Sequence, residues 1–222
     1  MASHRNRYRA LASLLLVALS ACHRERRLES FVPPDTTVLA GADLDRIRSW
    51  VPDTFREATN VVVAFNGKDL LFLLRGNFTQ APMGGTLVNP HFALVGPPDA
   101  VRAAIEHPSA SCPLCDRAPS PRPDVWAVMR GGGPLPLGGN AANVNHLLRL
   151  TDWLSAGATA GQKFDIEITA YCRSGDAASQ FEETLRATLT LANIDTADVN
   201  RDGLTVRIKG SASPELVGRL LR

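Results

Sequence analysis

Two short runs in this chain combine residue types and spacings that chemistry can use. In Cys112-Pro113-Leu114-Cys115 two thiols lie three residues apart, a spacing common to c-type haem attachment, redox dithiols, half of a zinc site and small structural disulfides. Haem attachment needs a histidine directly after the second cysteine, where Asp116 stands. A redox dithiol needs a helix N-terminus to lower one thiol's pKa, but this motif is embedded in a proline-rich stretch. A zinc site needs two further ligands, and His23, His91, His107, His146 and Cys172 offer no pair at helical spacing. A disulfide that pins a connector is the expectation, in keeping with an exported protein. Cys172 shares strand parity with Phe164, Ile166 and Ile168, which predicts a buried small hydrophobe.

The second run is Asp198-Val199-Asn200-Arg201-Asp202-Gly203. Asp198, Asn200 and Asp202 match the first half of a calcium loop, but its twelfth position, which should supply a bidentate Glu, is Lys209. A hairpin or strand-entry turn at Asp202-Gly203 is the favoured reading, and no metal site is assigned. Glu182 and Glu183 are neighbours on a predicted helix, so they point apart and make no acid/base pair. The glycines of Gly131-Gly132-Gly133 and Gly138-Gly139 lack the Lys-Ser/Thr pair or spacing of a phosphate cradle. None of the Gly-x-Ser-x-Gly, His-Glu-x-x-His or Ser-x-x-Lys motifs occurs. No catalytic residue and no cofactor is therefore assigned.

The N-terminus carries a different chemistry. Arg5, Arg7 and Arg9 precede an apolar run over residues 10–19, and Leu19-Ser20-Ala21-Cys22 follows. A basic start, a short apolar core and small residues before a cut make an export signal, and the run is far short of the roughly 20 residues that span a bilayer. The junction resembles that of bacterial lipoproteins. The resemblance implies that residues 1–21 are removed and that Cys22 carries a diacylglyceryl thioether and an acylated amine, palmitate being a typical chain. At about 0.8 kcal/mol per buried methylene, such chains hold a protein at a membrane without a spanning helix. His23 rather than Asp after the cysteine points, by analogy with enteric sorting, to the periplasmic face of the outer membrane.

Removing the signal takes three arginines with it and leaves 201 residues with a net charge of −1. That charge gives no global field to attract nucleic acid, and no basic stripe interleaved with aromatics is present. Residues 22–30 read as a charged tether.

Strands are predicted over 37–42, 60–65, 70–75, 86–88, 92–95, 125–130, 163–172 and 204–209, the second and third joined by Asn66-Gly67, a strong hairpin signal. Helices are predicted over 43–50, 98–107, 141–155 and 176–192, with a short terminal one from Pro214. Residues 108–123 hold Pro108, Pro113, Pro119, Pro121 and Pro123, too many for a regular element. They separate an N-terminal half, 31–107, from a C-terminal half, 124–222. Each half reads as strand, helix, antiparallel strands, helix. The expected class is α+β: two sequential α/β halves with mainly antiparallel sheets, helices packed on one face of each, loosely ferredoxin-like.

Phe31-Val32-Pro33-Pro34-Asp35 leads into Val38-Leu39-Ala40-Gly41-Ala42-Asp43-Leu44. Further on come Leu71-Phe72-Leu73-Leu74-Arg75-Gly76-Asn77-Phe78 and Ala93-Leu94-Val95-Gly96-Pro97-Pro98-Asp99-Ala100-Val101. These runs resemble a family of uncharacterised secreted or lipid-anchored bacterial envelope proteins. The resemblance spans most of the mature chain and implies no activity. The expectation is a lipid-anchored envelope protein that binds another envelope component, with the membrane as its first partner. The alternative is an envelope hydrolase or a small-molecule carrier.

Overall fold

The computed structural model describes residues 28–50, 53–109, 111–132, 142–191 and 197–213. The predicted export signal with Cys22, most of the predicted tether, residues 133–141 and the predicted terminal helix from Pro214 lie outside them. Ten strands form one sheet: β1 (Val38–Asp43), β2 (Ala58–Phe65), β3 (Leu70–Gly76), β4 (Thr86–Asn89), β5 (Phe92–Val95), β6 (Val125–Arg130), β7 (Thr151–Ala160), β8 (Phe164–Cys172), β9 (Asp198–Asp202) and β10 (Thr205–Ala212). Three α-helices accompany it among the described residues: α1 (Pro98–Glu106), α2 (Ala142–Arg149) and α3 (Gly175–Leu191). The class is α+β, dominated by its sheet.

Strand order is β4-β5-β3-β2-β1-β6-β7-β8-β10-β9. Counted outward from the centre, each half runs first, second, third, fifth, fourth. The halves meet at β1 and β6, which pair antiparallel from Val38 opposite Met129 to Ala42 opposite Val125. Antiparallel strands that start the same pattern on either side are related by a pseudo-twofold axis normal to the sheet. Two expectations are corrected here. There is one continuous sheet, not one per half, because β1 and β6 each leave an edge that only the other fills. Every pairing among the described strands is antiparallel, whereas a ferredoxin-like split β-α-β unit needs parallel neighbours.

Alternation of side chains gives the sheet two faces. The front carries Leu39, Val62, Ala64, Leu71, Leu73 and Val128 in and beside the N-terminal half. Over them pack the 3-10 turn Leu28–Phe31, α1 through Val101 and Ala104, and Leu114 of the proline-rich connector. The back of the same half is closed by Leu44, Ile47, Phe55 and Phe78 against Leu74 and Ala93. In the C-terminal half, α2 and α3 cover the back, where Leu148, Ala178 and Phe181 meet Leu154, Ala170, Val206 and Ile208. Helices thus lie on opposite faces of one sheet, not on one face throughout.

Three elements depart from the sequence reading. Residues 43–50 form turns and a 3-10 helix, Arg48–Trp50, because the Asp43 carboxylate accepts the amides of Asp45 and Arg46. The guanidinium of Arg48 also donates to the carbonyls of Phe55 and Ala58. Side-chain capture of this kind competes with helical bonding. The helix predicted over 141–155 ends at Arg149 and gives way to β7. That strand reads poorly because Ala, Gly, Ser and Thr fill it where β-branched and aromatic residues are usual. The strand β9 occupies the stretch with calcium-loop residues. Elsewhere the hairpin signals hold: Asn66 caps a four-residue loop by accepting the amides of Lys68 and Asp69. Gly203, at φ +58°, opens the two-residue turn between β9 and β10.

Candidate functional site

The two halves differ on the front. Beyond β6 the front face holds Ser155, Gly157, Glu167, Thr169, Arg207 and Lys209, read from the registers of β6 to β10. No helix covers it among the described residues. Glu167 and Lys209 face each other across β8 and β10 at 3.4 Å. What overlies this face is the end of the connector.

Residues 119–123 run along the seam between the halves, and three contacts seat them. Pro123 lies on Gly157, where a Cβ would stand 2.5 Å from the Pro123 ring. Arg122 stacks on Trp126, 5.0 Å from guanidinium to ring centroid, and pairs with Glu29 at 2.6 Å. Trp126 is itself pressed flat on Gly41 of β1, whose lack of a side chain admits the indole. Below them the carboxylate of Asp124, only 7% exposed, accepts the amide of Ala160 and lies 3.5 Å from Arg46. A buried carboxylate needs such partners to remain buried.

This strap divides the front into two hollows that share Arg122, Pro123 and Thr159. One, of about 640 Å³, lies over the open face and is lined by Asp165, Glu167 and Lys209 besides Arg122. The other, of about 720 Å³, lies at the strand ends of the N-terminal half and holds Glu29, Asp43, Arg46, Arg75, Arg122 and Asp124. In each, acids and bases balance. Such surfaces suit recognition of a polar partner by paired charges, which contributes more to specificity than to affinity.

The predicted site residues do not converge. Cys112 and Cys115 are joined in a disulfide with Cα atoms 5.1 Å apart, and both pack against the front core. They lie in and beside the 3-10 turn Cys115–Arg117, so the motif fixes the connector's course. Asp198, Asn200 and Asp202 alternate along β9, in a row with steps of about 7 Å. Lys209, Arg207 and Thr205 stand opposite them. Their oxygens do not surround a point. Cys172 is 2% exposed. Burial first, and the nearby Asp152 carboxylate second, push its thiol pKa up, so it stays protonated and packs as a small hydrophobe. Glu182 turns to Arg186 and Arg201, at 2.8 and 3.1 Å.

Sequence reasoning missed the strap and the aromatic contacts beneath it. The available signal was Arg122, at the end of the proline-rich connector, four residues before Trp126 of the predicted strand 125–130. Only the fold brings Glu29 and Gly157 to the same place.

No protein-family model and no curated protein matches the chain. Among solved structures it is similar to TP0453 in its crystal form I, with a TM-score of 0.60 over 89% of this chain and 97% of that one, at 12% identity. That likeness is one of fold.

Proposed function

We propose that this protein is a lipid-anchored component of the bacterial envelope that works by binding another envelope protein, not by catalysis. The observation that carries the reading is the Leu19-Ser20-Ala21-Cys22 junction behind a basic, apolar leader. Five residues separate Cys22 from Leu28, and the six steps between them span roughly 20 Å at full extension. The strand ends around Glu29 and Arg122 are thereby kept within reach of the membrane surface, on its periplasmic side. The open front face of the C-terminal half, polar and of mixed charge, is the surface offered to the partner, whose own surface is polar and carries both signs of charge. A carrier of small molecules is the second reading. The two hollows favour it, since their volumes fall in the range of ligand pockets, roughly 300–1,000 Å³.

The test has two parts. Cys22→Ser is expected to leave an unprocessed precursor without acyl label; label retained on that variant overturns the anchor. A photo-crosslinker placed at Thr169 on the open face is expected to capture a discrete envelope protein in intact cells, while one at Glu106 on α1 does not. Recovery of lipid and abundant porins alone, or equal capture at both positions, defeats the binding reading.

A further inference from the structure

A third hollow, of about 560 Å³, lies at the other end of the front face, where the strand end of β6, the start of β7 and the disulfide-pinned turn meet. Unlike its neighbours it is unbalanced: Arg117, Arg130 and Arg173 line it against the single carboxylate of Asp152. No carboxylate among the described residues pairs with Arg117 or Arg130. Asp152 approaches Arg173 only to 3.8 Å, with both side chains about half exposed or more. On a chain whose mature net charge is −1, a local excess of two positive charges is not a bulk property.

The hollow is also built. Register slips between Thr151 and Trp153, which face Cys172 and Tyr171 in turn. Asp152 is the extra residue of a β-bulge, a device that re-aims side chains. Thr151 thereby turns to the back, where it is fully buried, and Trp153 turns to the front. Trp153 stacks on Tyr171 with centroids 3.6 Å apart, and the Arg117 guanidinium sits 4.8 Å from the Trp153 centroid. Arg173 is steadied by donating from Nε to the Thr151 carbonyl at 3.0 Å. The Cys112–Cys115 bridge holds the turn from which Arg117 projects. Two of the three cations are therefore positioned before any ligand arrives, which lowers the entropy cost of binding.

We propose that this hollow binds a phosphate monoester through Arg117, Arg130 and Arg173. Guanidinium groups match phosphate and carboxylate oxygens in a fork of paired hydrogen bonds. An excess of two positive charges selects a group that carries close to two negative ones at neutral pH, and a lone carboxylate leaves one charge unmatched. The phosphate belongs either to a free metabolite or to a lipid headgroup.

The full chain in neutral detergent is titrated calorimetrically with glycerol 3-phosphate, and with dihexanoyl phosphatidic acid against dihexanoyl phosphatidylcholine. Saturable binding of a monoester is expected, weakening as salt rises. Arg117→Gln with Arg130→Gln is expected to weaken it about tenfold or more, and Asp152→Asn to tighten it severalfold by removing the opposing charge. Arg75→Gln, in the balanced hollow, leaves it unchanged. All four side chains are exposed enough for the variants to fold, which far-ultraviolet circular dichroism verifies. Equal affinity for glycerol 3-phosphate and the phosphatidic acid assigns a free monoester; a tenfold preference for the latter assigns a headgroup. Absence of saturable binding to either, or unchanged binding in the double arginine variant, overturns the proposal.

Discussion

The N-terminal and C-terminal halves share a strand order and differ in the number of layers that close them. Around β1 to β5, the front is covered by α1, the 3-10 turn Leu28–Phe31 and the connector, and the back by Leu44, Ile47, Phe55 and Phe78. Around β6 to β10, α2 and α3 close the back, and no helix among the described residues lies on the front. The front of each third strand shows the consequence. Leu71 and Leu73 of β3 are fully buried, while Glu167 and Thr169 of β8 meet solvent or the strap. Topology alone thus leaves open what a sheet face does. The polarity of every second residue decides whether a face becomes core or surface: the front of one half is buried core, and among the described residues the front of the other stays polar with no helix over it.

This contrast can be broken. Leu73→Ala in the closed half and Phe181→Ala beneath the open one should each destabilise the fold by about 3–5 kcal/mol, measured by urea unfolding. Thr169→Val, on the open front, should stay within about 0.5 kcal/mol of wild type. Because β1 and β6 join the halves in one sheet, both core variants should shift a single transition. Two separated transitions would show that the halves are independent bodies that merely touch.

Gly41→Val tests the seam. The new side chain displaces the Trp126 indole and with it Arg122, at a cost of about 1–3 kcal/mol, and indole emission should move toward that of exposed tryptophan. Unchanged emission would mean that the strap is not seated on Trp126. Replacing both Cys112 and Cys115 by Ser should cost less, about 2 kcal/mol at most for so short a loop, and should leave the C-terminal core unaffected in hydrogen exchange.

The smallest effect is one of pH. The folded state holds the Cys172 proton to higher pH than the unfolded chain, because burial and Asp152 oppose the thiolate. Above the ordinary thiol value of 9.0 the unfolded state therefore binds fewer protons, and stability falls as pH rises until the buried thiol also titrates. Below that value the contribution is fully present. Cys172→Ala should flatten this alkaline decline; a decline of the same slope in the variant would assign it to other groups.

Much of the fold was legible where local chemistry and tertiary context agree. Asn66-Gly67 and Asp202-Gly203 each mark a hairpin, since both place a glycine where the turn needs positive φ. The alternation of β8 and the helical period of α3 survive because one side of each is wet. Legibility failed where packing overrode propensity. β7 sits between β6 and β8, where the Pro123 ring on Gly157 leaves no room for a side chain, so its composition imitates a loop or helix end. The segment 43–50 kept the buried Leu44 that helical spacing predicted, yet its hydrogen bonds went to Asp43 and Arg48. Of the candidate site, the cysteine pair was readable from spacing and context. The strap and the arginine hollow were not, for Glu29, Arg122 and Gly157 are scattered in sequence, as are Arg117, Arg130 and Arg173.

What the sequence by itself determined is local: the two glycine turns, the cysteine bridge and the α+β class, each set by a few neighbouring residues. Only the tertiary structure decided that β1 and β6 fuse two repeats into one sheet, that among the described residues one front face is closed and the other open, and where three arginines gather around a single carboxylate. Those outcomes depend on which strand edges and faces meet, and such meetings between residues distant in the chain leave no fixed spacing to read.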